Sequence, residues 1–183
     1  MPVLYEFEAC PWCRIAREAI SEAGVSVLVR PCPKGGTIFR PVAQELGGKA
    51  QFPFLFDPQA DAGLYESKAI AEMMSEKYKG RRPLVHRFGP LNGVLSQYTY
   101  LLRAFWGRDA KASARPAQPL ELYASEASPS GRLVREELSI REIEYVWHPT
   151  SDKGLQLTDP SRDMQIRGTR AILSHIRIAY KAS

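Results

Sequence analysis

Cysteine is scarce in this chain of 183 residues: Cys10, Cys13 and Cys32 are its only three. Three thiols, two of them in one Cys-x-x-Cys, cannot build a disulfide framework, which excludes a small disulfide-stapled scaffold and marks the thiols as chemical groups in a reducing, intracellular setting. Histidine is as scarce, and His86, His148 and His175 have no spacing that would complete a zinc site with the cysteine pair, so no metal is expected. No apolar run approaches the roughly 20 residues that a membrane-spanning helix needs. Charge of one sign is never concentrated either: the net +5 and the pI of about 9.2 come from basic residues dispersed among acids, so no nucleic-acid partner is expected. A targeting leader is not legible at the start, where Val3-Leu4-Tyr5-Glu6-Phe7 reads directly as a strand.

What the sequence does have is an internal repeat. A shift of 118 positions lays Leu4-Tyr5-Glu6-Phe7-Glu8-Ala9-Cys10-Pro11-Trp12-Cys13-Arg14 over Leu122-Tyr123-Ala124-Ser125-Glu126-Ala127-Ser128-Pro129-Ser130-Gly131-Arg132, and Arg17-Glu18 over Arg135-Glu136. Further on the shift becomes 102, where Asp57-Pro58 meets Asp159-Pro160, Ala69-Ile70 meets Ala171-Ile172, and Tyr78-Lys79 meets Tyr180-Lys181. Matched strand, turn and helix punctuation points to a duplication whose second copy has lost an internal stretch.

In the first copy, 1–79, a strand over Val3–Phe7 leads into a helix from about Pro11 to Ala23, with Ile15, Ala16, Ala19, Ile20 and Ala23 on one face and Gly24 as its stop. A strand at Val25–Val29, a short helix around Pro41–Leu46, a hairpin of Phe54–Phe56 and Gly63–Tyr65 across Asp57-Pro58, and a helix from Ser67 to Tyr78 follow. The second copy, 119–183, keeps strand, helix and strand, then hairpin and helix, with Leu133, Val134, Leu138, Ile172, Leu173 and Ile176 as its apolar positions. Without the short helix its sheet is expected to bare apolar surface that the other copy or a partner covers. The linker, 80–118, carries a helical stripe over about 91–106, formed by Leu91, Val94, Leu95, Tyr98, Leu101, Leu102 and Phe105. It is read as a packing helix between the copies, or, with Tyr100 and Trp106, as a docking surface for a protein or the face of a membrane.

The chemistry sits in the first copy. Cys10 precedes a helix whose free amides and dipole favour a thiolate, and Cys13 stands one turn on, close enough to resolve a mixed disulfide. Pro11 fits the first helical turn. Cys32, flanked by Pro31 and Pro33, has no partner in the sequence and is read as a bystander, with glutathionylation or dimer formation as the alternative. In the second copy Ser128 and Gly131 replace the two cysteines, which removes redox chemistry there.

Element order, Phe7-Glu8-Ala9-Cys10-Pro11-Trp12-Cys13-Arg14, Pro31-Cys32-Pro33-Lys34-Gly35, Gln51-Phe52-Pro53-Phe54-Leu55-Phe56-Asp57-Pro58 and Tyr65-Glu66-Ser67 together resemble a known family. It comprises proteins of cyanobacteria and plastid-bearing eukaryotes with tandem glutathione S-transferase N-terminal, thioredoxin-like domains. The resemblance implies an α/β fold of two thioredoxin-like (glutaredoxin-like) domains, the second degenerate, and glutathione as cofactor. It further implies a cis bond between Phe52 and Pro53 that meets the cysteinyl part of glutathione, with Glu66 and Ser67 taking its γ-glutamyl end and Cys10 and Trp12 beside it. In the second copy Leu155, Gly168 and Thr169 stand opposite Pro53, Glu66 and Ser67, so glutathione binding is not expected there.

Two functions follow. One is a glutathione-linked thiol-disulfide oxidoreductase or transferase acting on glutathione or protein disulfides, with Cys10 as nucleophile and Cys13 as resolving thiol. The other is a non-enzymatic scaffold subunit of a larger assembly, in a plastid or the cytoplasm, that binds protein partners through its second copy and linker helix. The absence of an all-helical C-terminal domain argues against conjugation of foreign electrophiles.

Overall fold

The computed structural model describes residues 1–78, 109–151 and 154–182. The linker stripe expected over about 91–106 lies outside them. The first half runs β1 (Val3–Glu6), α1 (Pro11–Ala23), β2 (Val27–Pro31), α2 (Phe39–Gly47), β3 (Phe54–Asp57), β4 (Ala62–Tyr65) and α3 (Ser67–Tyr78). The second half runs β5 (Leu120–Ala124), α4 (Pro129–Ile140), β6 (Tyr145–Pro149), β7 (Gln156–Asp159), a 3-10 turn at Pro160–Arg162, β8 (Met164–Arg167) and α5 (Thr169–Ala179). Among the described residues the second order repeats the first with α2 left out and the 3-10 turn added. No helix among the described residues is long and apolar enough to cross a membrane.

Local chemistry explains the elements. On α1 the buried residues Cys13, Ala16, Arg17 and Ile20 recur at helical spacing, and Ala16 and Ala19 are small enough to let α3 pack closely. The helix starts on the Cys10 cap with Pro11 in its first turn. It stops at Gly24, whose φ of 65° suits glycine and whose amide returns to Ile20 and Ser21 carbonyls. In each half the first two strands are parallel and the hairpin is antiparallel.

The halves do not stand apart. Their strands form one eight-stranded sheet in the order β4-β3-β1-β2-β6-β5-β7-β8, a joining that composition and repeat spacing do not reveal. At the seam β2 and β6 are antiparallel, with Val27 opposite Trp147, Leu28 opposite Val146 and Val29 opposite Tyr145. Under the 118-residue shift Leu28 corresponds to Val146 itself, so the pairing is centred on a local twofold axis. One apolar core runs unbroken across the seam beneath α1, α3, α4 and α5, from Leu4, Ile20, Val29 and Met74 to Leu122, Leu138, Trp147 and Ile176. Polar ties reinforce it: Glu142 of the second half accepts from the Thr37 and Ile38 amides at 3.2 and 3.0 Å, a carboxylate at the N-terminus of α2. Arg30 pairs with Glu144 at 3.2 Å, and Ser26 Oγ meets His148 Nδ1 at 2.8 Å.

The opposite face of the sheet corrects one expectation. In the first half it is apolar, with Val3, Tyr5, Phe54 and Cys32 packed beneath Phe39 and Ala43 of α2. In the second half, where α2 is missing, the same register positions hold Glu121 for Val3, Gln156 for Phe54, Thr158 for Phe56 and Arg167 for Tyr65. Tyr123 is retained, stacked on His148 at 4.4 Å, with its hydroxyl on Glu121 at 3.2 Å. The face bared by the lost helix has become polar, so it needs no cover on hydrophobic grounds.

A continuous core requires the halves to unfold together. Leu157→Ala in β7 removes a fully buried side chain and should cost about 2–5 kcal/mol. Reactivity of the distant Cys13 thiol and far-UV circular dichroism should then report one shared, lowered midpoint in denaturant; two separated transitions would show that the halves are independent.

Candidate functional site

Strand register gathers the candidate residues at one sheet end. Tyr5 pairs with Phe54 and Phe54 with Tyr65, so the next positions outward, Glu6, Pro53 and Glu66, lie in a row across β1, β3 and β4. β1 and β4 are followed by helices, so α1 and α3 both begin at that end and present their N-termini there. The Phe52-Pro53 bond is cis. Phe52 packs edge-on against Phe7 at 6.3 Å, and Arg40 lies over its ring at 4.9 Å. Glu66 takes φ 71°, its carbonyl accepts from Ile70 in the first turn of α3 at 3.0 Å, and its carboxylate is held by the Gln51 amide. Ser67, the first residue of α3, is buried.

Cys10 caps α1, with extended φ and ψ of −79° and 122°, and its sulfur accepts from the Cys13 amide at 3.4 Å. A hydrogen bond with the Cys13 thiol, helped by the Cys13 and Trp12 amides, draws the Cys10 thiol below its ordinary range against burial and the Glu6 charge. Burial pushes Cys13 far the other way, assisted by its bond with Cys10 and by the Cys10 and Glu6 charges, while the Phe7 amide opposes it. The pair is thus split into an outer sulfur inclined to ionise and an inner one that keeps its proton. Cys10 is only 5% exposed, whereas the neighbouring Trp12 is 54% exposed. Cys32 is fully buried on the other face of the sheet, where burial raises its thiol far above the ordinary range, so it is an inert packing group.

The second half repeats the backbone of this site without its groups. Ser128 caps α4 with φ and ψ of −74° and 120° and accepts from the Gly131 amide at 3.2 Å, an oxygen in the place of the Cys10 sulfur. Gly168, opposite Glu66, keeps a positive φ of 85° and has no carboxylate.

A buried charge cluster behind the thiols escaped the residue-by-residue reading. Arg17 of α1 contacts Glu8 at 3.3 Å and Glu126 at 3.2 Å, and Arg135 of α4 contacts the same two acids at 3.0 and 2.9 Å. Glu6 is a fifth member, bound to Arg17. The signal was in the repeat: the shift of 118 lays Glu8 over Glu126 and Arg17 over Arg135, a charged pair retained at inward-facing positions.

Glu6 gives the cluster a measurable pH dependence. Burial raises its carboxyl from 4.5 to about 7, against the pull of Arg17. Between those values the folded chain holds a proton that the unfolded chain has lost, so stability is full below pH 4.5 and falls as pH rises through 7. The loss attributable to Glu6 is roughly 3 kcal/mol. Denaturant titrations at pH 5 and pH 8 should show this decline in the wild type and a smaller one in Glu6→Gln; an equal decline in both would place the proton elsewhere.

Residues 4–82 match the family model described as glutathione S-transferase, N-terminal domain. Among solved structures, the chain is similar to a delta-class glutathione transferase of Nilaparvata lugens, at 24% identity and TM-score 0.39, over 55% of this chain and 46% of that one. It is also similar to glutathione S-transferase unclassified 2 from Bombyx mori, at 21% identity and TM-score 0.38, over 59% of this chain and 56% of that one. The chain thus spans about half the length of these structures. No curated protein matches it. The described residues of the first half carry the mixed α/β, thioredoxin-like fold of a glutathione S-transferase N-terminal domain.

Proposed function

We propose that the chain is a glutathione-linked thiol-disulfide oxidoreductase built on a duplicated thioredoxin-like fold, active in its first half. The split thiol pair at the mouth of α1 carries this reading. The Cys10 thiolate attacks a mixed disulfide of a substrate thiol with glutathione; the new bond joins Cys10 to the glutathione sulfur, and the substrate departs as a thiolate that takes a proton from water. The Cys13 thiol then gives up its proton and displaces glutathione, leaving a Cys10–Cys13 disulfide that two further glutathione molecules reduce, one as mixed disulfide and one as the thiol that releases oxidised glutathione. Alternatively a single glutathione thiolate displaces Cys10 directly.

For glutathione itself, the cis-Pro53 backbone is assigned to the cysteinyl part, the Ser67 hydroxyl and first amides of α3 to the γ-glutamyl carboxylate, Glu66 to its ammonium, and Phe52 and Trp12 to the walls. The second half is assigned to packing, since Ser128 and Gly131 carry no thiol. A reducing compartment, cytoplasm or plastid stroma, keeps such a pair supplied with glutathione.

One observation favours the alternative of a non-enzymatic scaffold subunit: Cys10 is 5% exposed. The bared sheet of the second half lends that alternative no support, because its residues are polar.

A glutathione-dependent assay on a glutathionylated peptide separates the two. Wild type should turn over, Cys10→Ser should fall to background, and Cys13→Ser should retain exchange through the single-thiol route. Background rates for all three would remove the enzyme reading. Glu66→Ala should raise KM for glutathione about tenfold, the loss of one charge-assisted contact, with kcat little changed; an unchanged KM would displace Glu66 from the site.

A further inference from the structure

The charge cluster lies where the halves meet, and it is symmetric save for one member. Arg17 and Arg135 each bridge Glu8 and Glu126, one acid and one base from each half. Glu6 stands outside this square. The position equivalent to it in the second half is Ala124, just as the positions equivalent to Cys10 and Cys13 are Ser128 and Gly131. The half that keeps the thiols therefore also keeps the additional carboxyl, and three acids face two guanidinium groups in a volume closed to water. One oxygen of Glu6 is held by Arg17, while the other, Oε1, is buried without a hydrogen-bond partner among the described residues.

Glu6 also lies within electrostatic reach of both sulfur atoms. It is the last residue of β1, followed by Phe7, whose amide reaches the Cys13 sulfur. Arg17 stands one helical turn beyond Cys13 on the same buried face of α1. The charged and titratable groups around Glu6 are Glu8 from the turn after β1, Cys10 from the cap of α1, Cys13 and Arg17 from α1, Cys32 just after β2, Glu126 after β5, Arg135 from α4 and Tyr145 from β6. Arg132, at the cluster's outer edge, approaches Glu8 at 3.9 Å.

We propose that Glu126 and Arg135, although they belong to the thiol-free half, are positioning residues of the thiol site: they set the charge on Glu6, and through Glu6 the readiness of Cys10 to act as a thiolate. The signs follow from Coulomb's law in a poorly screened interior. Arg135 favours an ionised Glu6 and Glu126 opposes it, while an ionised Glu6 opposes ionisation of both thiols. Removing Glu126's charge should thus make Cys10 harder to ionise, and removing Arg135's should make it easier. The second half then has a use beyond packing: it supplies two of the charges that tune the first.

The proposal rests on reading Cys10 as the reactive thiol, but its test does not require turnover. The rate of Cys10 alkylation by iodoacetamide is followed against pH by mass spectrometry of its peptide, in the full chain. Limited exposure lowers the plateau of such a profile and leaves its midpoint in place. Glu126→Gln keeps the shape and hydrogen bonds of the side chain, leaves two acids facing two arginines, and should move the midpoint up, slowing alkylation at neutral pH at least about threefold. Arg135→Gln should move it down. Glu6→Gln should move it down as well, and in the pairs Glu6→Gln/Glu126→Gln and Glu6→Gln/Arg135→Gln the effect of the second substitution should vanish. Structural damage alone would not give shifts of opposite sign that both need Glu6. If Arg135→Gln fails to fold, the Glu126→Gln series decides by itself. An unmoved midpoint in Glu126→Gln, or a shift that persists without Glu6, would overturn the proposal. Normal shifts in a chain with no glutathione-dependent turnover would instead sink the oxidoreductase reading and leave this one standing.

Discussion

Antiparallel pairing of β2 with β6 is the constraint on which the rest of the molecule depends. Each half alone would end on an edge strand, β2 or β6, with a row of open backbone groups. Pairing them about the point between Leu28 and Val146 closes both edges at once and fuses two small cores into one. That joining brings Arg17 and Arg135 within reach of the carboxylates of both halves. The seam thus generates the charge cluster, and the cluster lies directly behind the thiols.

Five buried ionisable groups are an expensive way to join two surfaces, because each desolvated charge costs several kcal/mol before its partners repay it. Well-packed hydrophobic replacements of buried ion pairs are often neutral or stabilising. What the ionic square adds is direction: its bidentate and crossed pairs fit only one relative placement of α1 and α4. Glu6 does not fit this description, since it has no mirror mate and leaves the cluster one acid in excess. Under the role proposed for the thiols, its electrostatic effect on Cys13 connects the seam to their chemistry, where a carboxyl raised to about 7 has an effect that a packing residue would not.

Much of this was legible in the sequence. Helical spacing in α1, the Gly24 stop, the Asp57-Pro58 hairpin and the Ser67 start of α3 all stand where local chemistry puts them, and the Cys-x-x-Cys at a helix start announced its own asymmetry. Three things were not legible for physical reasons. Which edge strands pair depends on two surfaces meeting, and Val27-Leu28-Val29 reads the same on an open edge as inside a sheet. The burial of Arg17 and Arg135 was hidden because an isolated arginine on a helix is ordinarily solvated; only its repetition with Glu8 and Glu126 marked it. The polar face of the second sheet was readable at Glu121, Gln156 and Thr158, but only once strand register showed which residues share a face.

The account turns on Cys10 as the sulfur that forms the bond. Its most direct test is to incubate the Cys13→Ser chain with oxidised glutathione and map the adduct by peptide mass spectrometry. The account predicts a single glutathione disulfide at Cys10, reversed by reduced glutathione. An adduct confined to Cys32, or none on a folded chain, would contradict it.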